Sequence, residues 1–164
     1  MTDSQPISVL FVCLGNICRS PSAHGVFRRA VAAAGLAERV YIESAGTGDW
    51  HIGKPPDRRA SATAAARGVD IQDLRAQQVS SADLDRFDYV LAMDADNLAN
   101  LERLAQARGT VRARIALFGA FSAAYRDGPV PDPYFGGEQG FERVLDMIED
   151  ASTGLLEDIG ARLD

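Results

Sequence analysis

Two hydrophobic periods share this chain of 164 residues. Residues 9–12 form an unbroken apolar run of strand-favouring side chains, the pattern of a strand covered on both faces. From Ser20 to about Gly35 the period becomes helical, with Ala23, Val26, Phe27, Ala30 and Val31 on one face. Ser20-Pro21 predicts the start of that helix and Gly35 its stop. Val40, Tyr41 and Ile42 predict a second strand that ends in the glycine-bearing stretch 44–48. A loop through Trp50 then runs into the Pro55-Pro56 breaker, and Asp57 predicts the cap of an alanine-rich helix closing at Gly68. Residues 69–79 carry no period, and Ser80-Ser81 predicts the cap of a short helical turn through Leu84. Residues 89–93 read as a third strand and 114–118 as a fourth, with Asp94 capping a helix that carries Leu98, Leu101 and Leu104 between them. Residues 119–137 are rich in proline and glycine and read as loop. The last helix, roughly 138–163, places Phe141, Val144, Leu145, Ile148, Leu155, Leu156 and Ile159 on one stripe, with a bend expected at Gly154.

Strands alternating with helices predict an α/β fold. The expected form is a small, doubly wound, mostly parallel four-stranded sheet with helices on both faces, flavodoxin-like, in a single domain spanning residues 1–164. Such sheets gather their site at the C-terminal ends of the strands, beside a switch point. The end of the first strand, at Cys13, is such a place.

Charge and composition narrow the partners. A net charge of −6 argues against nucleic acid and anionic membrane, so an anionic substrate must be drawn by a local positive site. No basic leader precedes the first apolar run, and that run is far too short to span a bilayer. Two cysteines five positions apart cannot staple a fold of this size, which points to a reducing, cytoplasmic setting. No zinc spacing, dinucleotide fingerprint or Gly-Lys-Ser/Thr nucleotide loop is present, so neither a metal nor a cofactor is expected.

The chemistry concentrates in Cys13-Leu14-Gly15-Asn16-Ile17-Cys18-Arg19-Ser20. Gly15 and Asn16 tolerate positive φ, so the chain can wrap there before entering the helix. A loop curling into a helix N-terminus aims several backbone N–H groups at a common centre and adds the positive end of the helix dipole. Arg19 contributes a planar fork suited to two phosphate oxygens. Cys13 lies beneath that centre in a field that favours the thiolate. Together these residues describe a phosphate cradle with a nucleophile below it.

The string resembles the active-site loop of the low-molecular-weight protein tyrosine phosphatases, Cys-x-Gly-Asn-x-Cys-Arg-Ser, and matches it at Cys13, Gly15, Asn16, Cys18, Arg19 and Ser20. A second motif of that family, Asp-Pro-Tyr, is matched by Asp132-Pro133-Tyr134. The resemblance implies hydrolysis of phosphotyrosine in a protein substrate. Cys13 would form a phosphocysteine, Arg19 and the loop (Leu14, Gly15, Asn16, Ile17, Cys18) would hold the phosphoryl oxygens, and Asp132 would serve as general acid and then base. Ser20 would donate to the Cys13 sulfur. Trp50 would form one aromatic wall of the cleft, and Tyr134 and Phe135 the facing one. Phe135 stands where many relatives carry a second tyrosine. Family members often brace the loop Asn with a His at the position of Leu74, leaving Ser20 and Ser44 as candidate braces here and a less rigid loop as the expectation. His24 reads as a surface residue, His51 is given no role, and Cys18 is either a packing residue or a redox partner of Cys13.

Three other readings are weaker. A protein arginine phosphatase of this loop type has Thr where Ile17 stands. An arsenate reductase needs further cysteines, and none follows Cys18. A silent phosphotyrosine-binding module would be expected to lack Cys13 or Asp132. No oligomer is implied, and a monomer is assumed.

Overall fold

Seven consecutive buried residues make β1 (Ile7–Cys13) the axis of the molecule. The computed structural model describes residues 5–125, 129–133 and 137–163. β1 pairs in parallel with β2 (Val40–Gly46) from Ile7↔Val40 to Cys13↔Gly46, and on its other edge with β3 (Tyr89–Ala92). β4 (Arg114–Leu117) extends the sheet from β3, giving the all-parallel order β2-β1-β3-β4. The chain therefore winds outward from β1 to β2 and then returns past β1 to β3. That reversal puts the crevice of a doubly wound sheet at the C-terminal end of β1.

Side-chain alternation along β1 divides the core in two. Val9, Phe11 and Cys13 face a cluster built with α1 (Arg19–Ala33), α2 (Arg58–Ala66) and α5 (Gly137–Leu163). Leu10 and Val12 face the opposite cluster, supplied by α3 (Asp83–Arg86) and α4 (Ala95–Arg108) through Leu84 and Leu101. With both faces covered by helices, no polar residue alternates into β1 except Ser8, which bonds Asp88.

Three expectations shift. α1 begins at Arg19 with Cys18 in the capping position and no side-chain cap, because the Ser20 hydroxyl is engaged elsewhere. Phe118 leaves the fourth strand for a 3-10 turn (Phe118–Phe121). α5 runs unbroken through Gly154, so the glycine is no helix break. It admits the neighbouring backbone, since a Cβ there would lie 1.8 Å from the Phe121 carbonyl oxygen. Asp57 and Asp94 cap as expected, Asp57 accepting from the amides of Arg59 and Ala60 and Asp94 from that of Asn97. Among the described residues no helix is long and apolar enough to cross a membrane.

Candidate active site

The turn from β1 into α1 is set at Asn16, whose φ of 58° makes it the one non-glycine residue with positive φ among those described. Gly15 is not the residue that turns. Three hydrogen bonds hold Asn16 in this conformation. Its amide points at Cys13 Sγ (3.2 Å), its Nδ2 donates to Ser20 Oγ (2.7 Å), and its Oδ1 accepts from the Gln77 amide (2.9 Å). Gln77 is anchored in turn, its Nε2 donating to Glu43 Oε1 and to the Ser44 carbonyl. The looser loop expected from Leu74 is therefore not what the structure shows. Leu74 packs on the core, and a backbone amide from the segment just after it does the bracing. Ser44 braces something else: its hydroxyl meets His24 Nδ1 at 3.3 Å.

Cys13 is 2% exposed at the end of β1, with Ser20 Oγ 3.0 Å from its sulfur. Ser20 Oγ already accepts from Asn16, so its own proton is free to point at the sulfur; the Ala45 carbonyl is the more distant alternative at 3.4 Å. Two donors thus converge on Sγ. The amides of Gly15, Ile17 and Cys18 meet no protein acceptor among the described residues, and Arg19 and Ser20 lie in the first turn of α1. These are the orphan donors that make a helix N-terminus an anion site.

Arg19 is buried, which demands a partner for its charge. Nη1 donates to Asp94 Oδ2 (2.6 Å) and to the Val130 carbonyl (3.1 Å), while Nη2 lies 3.9 Å from Asp132 Oδ2. The guanidinium is thereby locked from the sheet side. Asp94 does double service, Oδ1 capping α4 and Oδ2 holding Arg19. The sequence signal at Asp94 was a cap, and a cap it is; nothing local marked its second oxygen. The Val130 carbonyl was equally illegible.

A cleft of about 190 Å³ opens above the sulfur, lined by Cys13, Leu14, Gly15, Ile17, Cys18, Arg19, Trp50, His51 and Asp132. Nine residues from three separate stretches meet there. Asn16 and Ser20 lie beneath the loop as supports, not on its lining. Trp50 is 65% exposed, and a Cβ on Gly48 would sit 2.0 Å from its ring, so only a glycine lets the indole come this close to the chain after β2. Tyr134 and Phe135 fall outside the described residues. His51, given no role from sequence, lines the cleft.

Burial separates two further groups from the chemistry. Desolvation, then the nearby Asp57 carboxylate, pushes the Cys18 thiol up to about 12, so it stays protonated beside Cys13. His24 is buried, against its surface reading, and burial followed by the charge of Arg28 pushes it down to about 4, leaving a neutral imidazole. Both cysteines are free thiols. Among the described residues no group of three His, Cys, Asp or Glu side chains is arranged to hold a metal.

A family model described as "low molecular weight phosphotyrosine protein phosphatase" matches residues 8–163. The chain belongs to that family. The low-molecular-weight protein-tyrosine-phosphatase of Streptomyces coelicolor is 47% identical over 150 residues, covering 90% of each chain. The low-molecular-weight phosphotyrosine protein phosphatase of Schizosaccharomyces pombe is 44% identical over 157 residues, 95% of this chain and 99% of that one. The crystal structure of YfkJ from Bacillus subtilis has the same fold, with a TM-score of 0.89 at 39% identity over 99% of this chain and 100% of that one. As a low-molecular-weight phosphotyrosine protein phosphatase, the chain is a hydrolase.

Proposed function

We propose that the chain hydrolyses phosphotyrosine in protein substrates through a phosphocysteine on Cys13. The observation that carries the reading is the sulfur itself: buried at the floor of the cleft, held by the Asn16 amide and the Ser20 hydroxyl, beneath a ring of unused loop amides. In the first step Sγ attacks phosphorus and the P–O bond to the tyrosyl oxygen breaks. Asp132, on the cleft wall between two prolines, passes its proton to the departing phenolate. In the second step the Asp132 carboxylate takes a proton from water, the water oxygen bonds to phosphorus, and the S–P bond breaks. The two donors to Sγ receive the returning thiolate. Arg19 and the loop amides hold the equatorial oxygens through both steps, which is the main work a protein does in phosphoryl transfer.

The opening supports an aryl ester. Leu14, Ile17 and Trp50 provide apolar walls suited to a phenyl ring, and Ile17 offers no hydroxyl to a guanidinium. A reducing compartment such as the cytoplasm suits a thiol nucleophile with a second thiol beside it. Steady-state turnover of an aryl phosphate and of phosphotyrosine, phosphoserine and phosphoarginine peptides tests the reading. Phosphotyrosine and the aryl ester should turn over, the other two should stay near background, and Cys13→Ser should abolish all turnover, a loss exceeding about 10⁴-fold. Faster hydrolysis of phosphoarginine, or turnover surviving in Cys13→Ser, would overturn it.

A further inference from the structure

A second groove, of about 470 Å³, runs beside the catalytic cleft and shares two walls with it, Leu14 and Trp50. The indole, close against Gly48, lines both. The far side mixes polar and apolar groups, with Thr47, Gln78 and Val79 from the segments around β2 and Asn100, Arg103 and Leu104 from α4. Arg103 is the only charged residue on that lining. Its Nη2 donates to Asn100 Oδ1, which orients the guanidinium without neutralising it. Elsewhere some arginines, among them Arg28, Arg67, Arg108 and Arg112, meet a carboxylate, and others, such as Arg29 and Arg75, meet backbone carbonyls instead. Among the described residues Arg103 meets no carboxylate. In a chain of net charge −6, an oriented and uncompensated guanidinium beside the substrate cleft is a local exception to the global field.

We infer that this groove is a subsite for the peptide flanking the phosphotyrosine, and that Arg103 selects an acidic residue there. The inference rests on the phosphotyrosine reading above. With the phosphorylated ring between the cleft walls, the peptide backbone is at the cleft mouth, and the shared Leu14–Trp50 wall is the border it crosses to enter the groove. A carboxylate reaching the groove meets a planar fork already held by Asn100, so less side-chain freedom is lost on binding. The pair stays open to solvent, which limits its worth to the range of exposed ion pairs.

Phosphotyrosine peptides carrying Asp, Ala or Lys at each flanking position in turn provide the test, with para-nitrophenyl phosphate as the substrate that has no flank. Wild type should prefer an acid at one or more positions by about threefold to fivefold in kcat/KM, weakening with salt. Arg103→Ala should flatten that preference, and Arg103→Glu should reverse it toward Lys, both leaving para-nitrophenyl phosphate turnover unchanged. Arg58→Ala, at the start of α2 and outside both linings, should leave the preference intact. Absence of an acid preference in wild type, its survival in Arg103→Ala, its loss in Arg58→Ala, or an equal fall on the unflanked ester would each overturn the subsite. A wild type that hydrolyses the aryl ester but no phosphotyrosine peptide would overturn the phosphotyrosine reading as well, and is told apart by that pattern.

Discussion

Cys13, Asn16, Arg19 and Ser20 are each no more than 3% exposed, while Leu14 at 42% and Trp50 at 65% stand in solvent on the same cleft. The buried group is cross-braced by hydrogen bonds from β1, α1, α4 and the 77–78 segment, so each polar atom that faces the sulfur or the guanidinium has its direction set before substrate arrives. The exposed group presents side chains that stand clear of the core, with the Trp50 ring close against Gly48. A phosphoryl group is the same in every substrate, and a rigid floor can be built for it once. The remainder of the substrate varies, and it meets side chains that can be changed at small cost to the fold. The contrast predicts that substitutions in the floor act on kcat and those in the rim on KM and choice of substrate.

Asp132→Asn should produce the widest gap. Its loss should lower kcat by about 10²- to 10⁴-fold on phenyl phosphate and much less on para-nitrophenyl phosphate, whose leaving group needs no proton. Equal losses on both esters would move Asp132 from proton donor to structural support. Asp94→Asn keeps the cap on α4 but weakens the pairing of Arg19. It should lower kcat by about 10²- to 10³-fold while leaving the helix formed by circular dichroism. A KM effect alone would break the division between floor and rim.

His24 sharpens the contrast through stability. Its value of about 4 lies below the ordinary 6.5, so the unfolded chain takes up a proton that the folded one refuses. The benefit of a neutral imidazole is complete above 6.5 and fades as pH falls toward 4, by no more than roughly 3 kcal/mol. Urea unfolding of wild type and His24→Gln should therefore show a difference that shifts against wild type across that window. A pH-independent difference would mean that His24 titrates normally. Trp50→Ala is the smallest expected change: KM for aryl phosphates should rise about threefold to tenfold with kcat little altered.

What sequence could show divides along the same line. The floor residues were legible because strand, turn and helix start are local patterns, and Cys13, Asn16, Arg19 and Ser20 lie within eight positions of one another. The sheet was legible because apolar runs report burial on both faces. Of the braces, Ser20 was legible and does hold Asn16, but the others were not. The Gln77 amide and the Val130 carbonyl are backbone groups that any side chain would supply, and no pattern marks them. His24 misled because a lone histidine on a helix says nothing of Ser44, twenty positions away in sequence and adjacent only in the fold. Leu74 misled in the opposite direction, since an absent hydrogen-bonding side chain says nothing about the main chain beside it.

The two oxygens of Asp94 give the site a mechanical link to the fold. One terminates the amide row of α4 at Asn97 and the other holds the guanidinium, so the first turn of α4 and Arg19 orient the same carboxylate. An anion that fixes Arg19 against Asp94 is expected to steady that helix end as well. Inorganic phosphate should slow amide hydrogen exchange at Asn97, and through that amide the occupancy of the cleft becomes readable from a place no substrate touches.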